Sequence, residues 1–200
     1  EAFDNKINQQ MIKELSVEFP YVVGPANKKH REWRFKLNSG VIFFSRYPIK
    51  DLGSIRFDDC DKEDCWADKG GLLVEADVKG KKIQLLGTHM DAGSNSRVQL
   101  KQLTQLNKLL ERFMKQGVPQ IVCGDFNIDK SDKNLYQKML DFLRAKDGPL
   151  SGDLQFSYDP QINDMGAANE HACLLDFILY RANGLEAHHI KRKIKRYKSK

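Results

Sequence analysis

The sequence predicts an α+β fold in which β-sheets are covered by helices. Residues 72–78 and 82–86 flank Lys79-Gly80-Lys81 and read as an antiparallel hairpin. Apolar residues at helical spacing mark amphipathic helices early in the chain and again near its middle. Hairpin-paired strands interspersed with such helices depart from the strict β-α-β-α order of a doubly wound parallel sheet.

In chain order, Phe3, Ile7, Met11, Leu15 and Phe19 recur every four residues, which predicts a helix stopped by Pro20. Residues 32–37 alternate like an exposed strand, with Trp33 and Phe35 on one side. Val41-Ile42-Phe43-Phe44 reads as a buried strand, entered at Ser39-Gly40 and left at Tyr47-Pro48. An acidic loop, residues 58–68, precedes Gly70-Gly71 and the hairpin. Leu100, Leu103, Leu106, Leu110 and Phe113 line a helix ended by Gly117-Val118-Pro119. Ile121-Val122-Cys123 is a buried strand, followed by a helix over residues 132–144. A polar, Gly-bearing loop over residues 147–170 leads into a last apolar strand, residues 172–180.

Chemistry-bearing residues stand at the ends of two apolar runs and within a third. The central run breaks at Gly124, and Asp125 and Asn127 follow one residue apart. If the backbone stays extended, alternation turns both to one side and Phe126 to the other. A carboxylate and an amide then converge at a strand end, suited to a hydrated cation or a phosphate; a polar turn is the alternative. Leu85-Leu86-Gly87 leads into His89, where a hydrogen-bonded structural role is the alternative. Asp176 sits inside an apolar run, and burying its charge unpaired is costly, so it needs a donor or a cleft. Gathered at one end of a sheet, these four residues suit phosphodiester hydrolysis. That reaction needs a cation for the phosphate oxygens, a base for water and donors for developing charge. So sparse a set fits Mg²⁺, which keeps water and phosphate among its ligands, better than zinc.

Two hundred residues, 40% hydrophobic and 30% charged, suit one soluble domain with a proper core. No apolar run is long enough to span a bilayer. The chain opens on Glu1-Ala2-Phe3-Asp4 without Met, so the missing signal peptide leaves the compartment open. The net charge of +6 is concentrated: residues 191–200 hold seven Lys and Arg and no acid, leaving the rest at −1. This divides the chain into a domain, residues 1–190, and a basic tail, residues 191–200, read as a solvated end. The near-neutral body lacks the excess that a nucleic-acid groove wants. Cys123 and Cys173 lie in apolar runs and read as core residues. Cys60 and Cys65 could close a small disulfide if the protein is exported, and no His or Cys stands at zinc-site spacing.

Five motifs follow in order: Glu1-Ala2-Phe3-Asp4 ahead of a helix, Gly40-Val41-Ile42-Phe43-Phe44-Ser45-Arg46-Tyr47-Pro48-Ile49, Gly87-Thr88-His89-Met90, Gly124-Asp125-Phe126-Asn127 and Leu175-Asp176-Phe177-Ile178-Leu179. Together they resemble the endonuclease/exonuclease/phosphatase superfamily, of deoxyribonuclease I-like fold, over residues 1–180. The resemblance implies a four-layer α/β/β/α sandwich, two mostly antiparallel sheets flanked by helices. Asp64-Cys65-Trp66-Ala67-Asp68-Lys69-Gly70 is similar to the segment before the hairpin strand in neutral, Mg²⁺-dependent sphingomyelinases. Arg97-Val98-Gln99-Leu100 and Phe156-Ser157-Tyr158-Asp159 look like that branch too.

By this resemblance Glu1, Asp125 and Asn127 would hold Mg²⁺, with Mn²⁺ or another divalent cation as the substitute. Asp125 and Asn127 would orient the attacking water and the phosphate. His89 would stabilise phosphate oxygens or assist the leaving group, and Asp176 would hold and polarise a histidine base. Asp64, Lys69, Arg97, Tyr158 and Asp159 are the expected substrate-binding residues, Asp64 and Lys69 as an ion pair near the site. The family's Ser-Asp-His strand, which carries the base, and its first strand, with a metal-binding Asn, find no counterpart here. Neither His188 nor His189 has the preceding Asp of that motif. The domain therefore reads as incomplete at both ends, which leaves open whether these residues alone turn over substrate. The expected substrate is a phospholipid at a membrane surface, sphingomyelin first, cleaved to phosphocholine and ceramide by a monomer, secreted or periplasmic. A nuclease of the same superfamily, acting on DNA or RNA, and a non-catalytic binding domain are the alternatives.

Overall fold

The computed structural model describes residues 3–27, 37–93, 95–163 and 171–195. In order its elements are α1 (Asn5–Leu15), β1 (Tyr21–Val23), β2 (Phe43–Ser45), β3 (Ile49–Arg56), a 3-10 turn (Lys62–Trp66), β4 (Gly70–Val78), β5 (Lys81–His89) and α2 (Ser96–Phe113). β6 (Gln120–Asp125), α3 (Lys133–Leu143), β7 (Lys146–Asp147), β8 (Leu150–Ser151), β9 (Asp176–Arg181) and β10 (Arg192–Lys193) follow.

Alternation along the hairpin sets the two faces of the central sheet. Leu73 of β4 and Leu86 of β5 point into a core with Val122, Phe177 and Leu179, against which α2 lays Leu103, Leu106 and Leu110 and α3 lays Met139 and Leu143. Leu72, Val74 and Leu85 point the other way, onto Val23, Ala26, Val41 and Phe43. Both helices start where a side chain caps them: Asn95 accepts from the Arg97 N–H, and Asp132 from the Leu135 N–H. Six strands form the sheet in the order β3-β4-β5-β6-β9-β7. Only the β5–β6 pair is parallel; the others run antiparallel. β1 and β2 form an antiparallel ribbon, and β8 and β10 a parallel pair. The fold is the expected α+β sandwich, with α2 and α3 on one face of the central sheet and the β1–β2 ribbon on the other.

Several local expectations change. β3 falls where no strand was expected: Ile49-Lys50-Asp51-Leu52-Gly53 does not alternate, and the register shifts between Asp51 and Gly53. In α1 the packed face runs through Asn8, 3% exposed, with Met11, Ile12 and Leu15 half-buried, and of the expected stripe only Ile7, 51% exposed, turns outward. The strand expected over 32–37 lies outside the described residues except at Leu37, which bridges Ala67. The buried strand expected over 41–44 is shorter and only half-buried. The loop over 147–170 contains β8. The basic tail does not begin as a solvated end: Arg192 is buried, and its Nη2 donates to Asp147 Oδ2 at 2.8 Å. A buried carboxylate draws that guanidinium in, and β10 forms with it. Cys60 and Cys65 are joined by a disulfide, and Cys123 and Cys173, both half-buried, are in none.

Candidate active site

The register of three neighbouring strands builds the site. His89 of β5 stands opposite Asp125 of β6, and Asp125 opposite Asp176 of β9. Residues paired across strands share a face, so the three lie in one row on one side of the sheet. β5 and β6 run parallel and end together there, while β9 begins there. The row lines an open cleft of about 440 Å³, with Gly40, Phe43, Gly87 and Gly124 among its other walls. That is room for a phosphate-bearing head group.

Asp125 is held by the turn that follows it. The Asn127 N–H donates to Asp125 Oδ1 at 2.8 Å, and Asn127 has φ +50. The extended backbone considered for this stretch is therefore replaced by an Asx turn, a conformation that Asn tolerates. Asn127 Nδ2 donates to the Met90 carbonyl at 2.9 Å, and Gln99 Nε2 to the Asn127 carbonyl at 2.7 Å. With Nδ2 committed, Oδ1 is the end of that amide left for a cation or phosphate.

Behind His89 lies a buried cation. Lys69 Nζ is 2.7 Å from Asp64 Oδ1, 3.1 Å from His89 Nε2 and 3.0 Å from the Met90 carbonyl, which uses all three ammonium protons. Asp64 Oδ2 accepts from the Ala92 N–H. An ammonium can only donate, so His89 Nε2 is its acceptor and the imidazole proton sits on Nδ1. Burial, and then the Lys69 charge, lower the His89 pKa to about 4, against a weaker pull upward from Asp64. The imidazole is neutral at neutral pH. Its Nε2 is also 3.8 Å from Asp125 Oδ2.

Asp176 has a different setting. Desolvation raises the pKa of its carboxyl, and the Ser157 hydroxyl opposes that shift. Ser157 Oγ also accepts from the Leu175 and Asp176 N–H groups, so it ties the late loop to the start of β9. Ser157 was not singled out from sequence; its only signal was its place in Phe156-Ser157-Tyr158-Asp159.

The other expected residues divide. Asp64 and Lys69 are brought to the row through His89. Glu1 lies outside the described residues. Arg97 is exposed in the first turn of α2. Tyr158 pairs through its backbone with Cys173, and Asp159 Oδ1 accepts from the Gln161 N–H, so its carboxylate serves a turn. His188 and His189 are exposed between β9 and β10, outside the cleft lining. Among the described residues no three His, Cys, Asp or Glu side chains form a metal cage. The oxygens of Asp125 and Asn127 are a hard, sparse donor set, which fits Mg²⁺ completed by water and phosphate.

Residues 8–194 match the model of the endonuclease/exonuclease/phosphatase family, and the chain belongs to that family. Sphingomyelinase C 2 of Leptospira interrogans is similar to it, 25% identical over 198 residues, covering 89% of this chain and 32% of that protein. Phospholipase C of Staphylococcus aureus is 24% identical over 189 residues, covering 84% of this chain and 56% of its own length. The chain thus spans about a third to just over half of these curated relatives. In fold it is similar to a beta toxin mutant from Staphylococcus aureus with bound magnesium ions, at a TM-score of 0.88 and 20% identity, over 98% of this chain and 74% of that one.

Proposed function

We propose that the chain is the catalytic part of a Mg²⁺-dependent phosphodiesterase that cleaves sphingomyelin to phosphocholine and ceramide. The observation that carries this reading is the His89–Asp125–Asp176 row, backed by the Lys69–Asp64 pair, in a family whose relatives bear the names sphingomyelinase C and phospholipase C. The magnesium ions of the similar beta toxin structure support the choice of cation.

Asp125 and Asn127, with Glu1 as the expected third ligand, would hold the cation. Once bound, it would neutralise phosphate oxygens and so favour attack at phosphorus. The chain's own groups do the rest. The Asx turn keeps the Asp125 carboxylate at the cleft, and Lys69 fixes the His89 ring so that Nδ1–H is its only donor. Asp176, in the same cleft, would hold and polarise the histidine base that the resemblance implies. Water adds to phosphorus, the bond to the ceramide oxygen breaks, and that oxygen takes up a proton, with no covalent enzyme intermediate. The near-neutral body weighs against a nuclease.

The test is an assay of the full-length protein on sphingomyelin, phosphatidylcholine, DNA and RNA, with Mg²⁺, with EDTA and with Mg²⁺ restored. Phosphocholine release that stops in EDTA and falls on the order of 10²-fold or more in Asp125→Asn is expected. Cleavage of nucleic acid alone, or full activity in EDTA, rules the reading out. No turnover of any substrate favours a binding domain.

A further inference from the structure

We propose that the Cys60–Cys65 disulfide is a redox control on this site: it holds Asp64 against Lys69, and opening it uncouples Lys69 from His89. The crosslink closes a ring of six residues, and Asp64 is inside that ring, next to Cys65. Little else in the ring keeps its shape. None of the residues of the 3-10 turn is buried, and the Asp61 side chain makes no capping bond. The turn's own hydrogen bonds, Asp64 N–H to Asp61 O and Ala67 N–H to Asp64 O, are both 3.2 Å long. Lys62 has φ +48, a conformation that costs a residue with a Cβ. Among the described residues the ring's outward bonds are the Asp61 N–H on Asp91 Oδ2 and, at Asp64, the Ala92 N–H and Lys69, while Trp66 at the end of the turn accepts from the Leu37 N–H at 3.3 Å.

The rest of the fold does not lean on this turn. The sheet and the α2–α3 core are built from residues on other elements. Opening the ring is therefore a local event whose effect passes through Asp64. Lys69 is 7% exposed, and without Asp64 it would keep a buried charge beside a neutral imidazole and a carbonyl. A buried ammonium that loses its counter-charge is costly, so it moves toward water and its donor leaves His89 Nε2.

Cys60 is exposed, so a reductant reaches it. A dithiol supplies the chemistry: one thiolate attacks the Cys60 sulfur and displaces the Cys65 thiolate, forming a mixed disulfide. The second thiol then closes the reagent into a cyclic disulfide and releases Cys60. Two electrons pass from the dithiol to the protein, and two protons end on the two cysteine thiols. Re-oxidation reverses the step.

This proposal rests on the hydrolase reading for its activity arm, so the experiment includes an arm that does not. The full-length protein is compared in oxidised, dithiothreitol-reduced and re-oxidised states, beside a Cys60→Ser/Cys65→Ser variant that has no bond to open. Sphingomyelin turnover, the melting temperature and the ring resonance of His89, assigned with His89→Gln, are measured in each. Reduction should lower kcat/KM by on the order of tenfold, move the His89 resonance and leave the protein folded at the assay temperature. Re-oxidation should restore both signals, and the Ser variant should match the reduced form with or without dithiol. An unmoved His89 resonance overturns the proposal, as does loss of activity only where the protein also melts. If the His89 resonance switches while neither state cleaves sphingomyelin, the coupling stands and the hydrolase reading fails.

Discussion

His89 shows how far a single residue is governed by its neighbours. From sequence it is a titratable imidazole after a buried strand; in place, burial and the Lys69 ammonium hold its pKa at about 4, below its ordinary 6.5. The unfolded chain therefore binds the extra proton first as pH falls. This contribution to stability is fully present above pH 6.5, wanes as pH drops from 6.5 to 4, and is gone below that. It amounts to about 3 kcal/mol. Urea unfolding at several pH values should show the parent losing about that much more than His89→Gln between pH 7 and 4. Equal losses in the two proteins would contradict the buried, neutral imidazole. Asn8 makes the converse point: its amide is buried with neither end hydrogen-bonded, at a position of the helix that the apolar spacing did not single out.

At the level of elements, the site depends on how closely β5 and β6 approach. Gly124 has φ +142, and a Cβ there would lie 1.9 Å from the Thr88 carbonyl oxygen, one pair before His89–Asp125 in the register. Gly124→Ala should cost more than about 2 kcal/mol, because both the conformation and the contact resist a side chain. Denaturant unfolding would show it, and an alanine variant as stable as the parent would disprove the close approach. Elements with a strong period were legible in the sequence: the hairpin, α2 and the apolar run of β6 each bury one face, and burial writes its period into the residues. β3 and β10 were not legible. Ile49-Lys50-Asp51-Leu52-Gly53 carries a bulge that breaks alternation, and Arg192-Lys193 looks like solvated charge until Asp147 is seen opposite it.

For the molecule as a whole, the C-terminal segment is a clasp. Arg192 reaches Asp147, which also accepts from Tyr136 Oη at 2.6 Å and Lys130 Nζ at 3.0 Å, and β10 lies beside β8 near the Asp176 end of the cleft. Arg192→Met should destabilise the protein by about 2–3 kcal/mol, since Asp147 stays buried with fewer donors. It should also raise hydrogen exchange in β7 and β9, which pair beside it. Unchanged stability would mean that the segment is as loosely attached as its charge suggests.

The sequence by itself determined the sandwich class, the order of the main strands and helices, and which polar residues stand at strand ends. The sandwich class came with the resemblance carried by five ordered motifs, and the rest follows from local spacing and from the cost of burying a charge without a partner. Only the tertiary structure decided that His89, Asp125 and Asp176 share one row, that Ser157 joins them, and that a disulfide-closed turn presses Asp64 onto a buried lysine. Strand register and the pairing of buried charges unite residues far apart in the chain, and no local pattern encodes the distance between them.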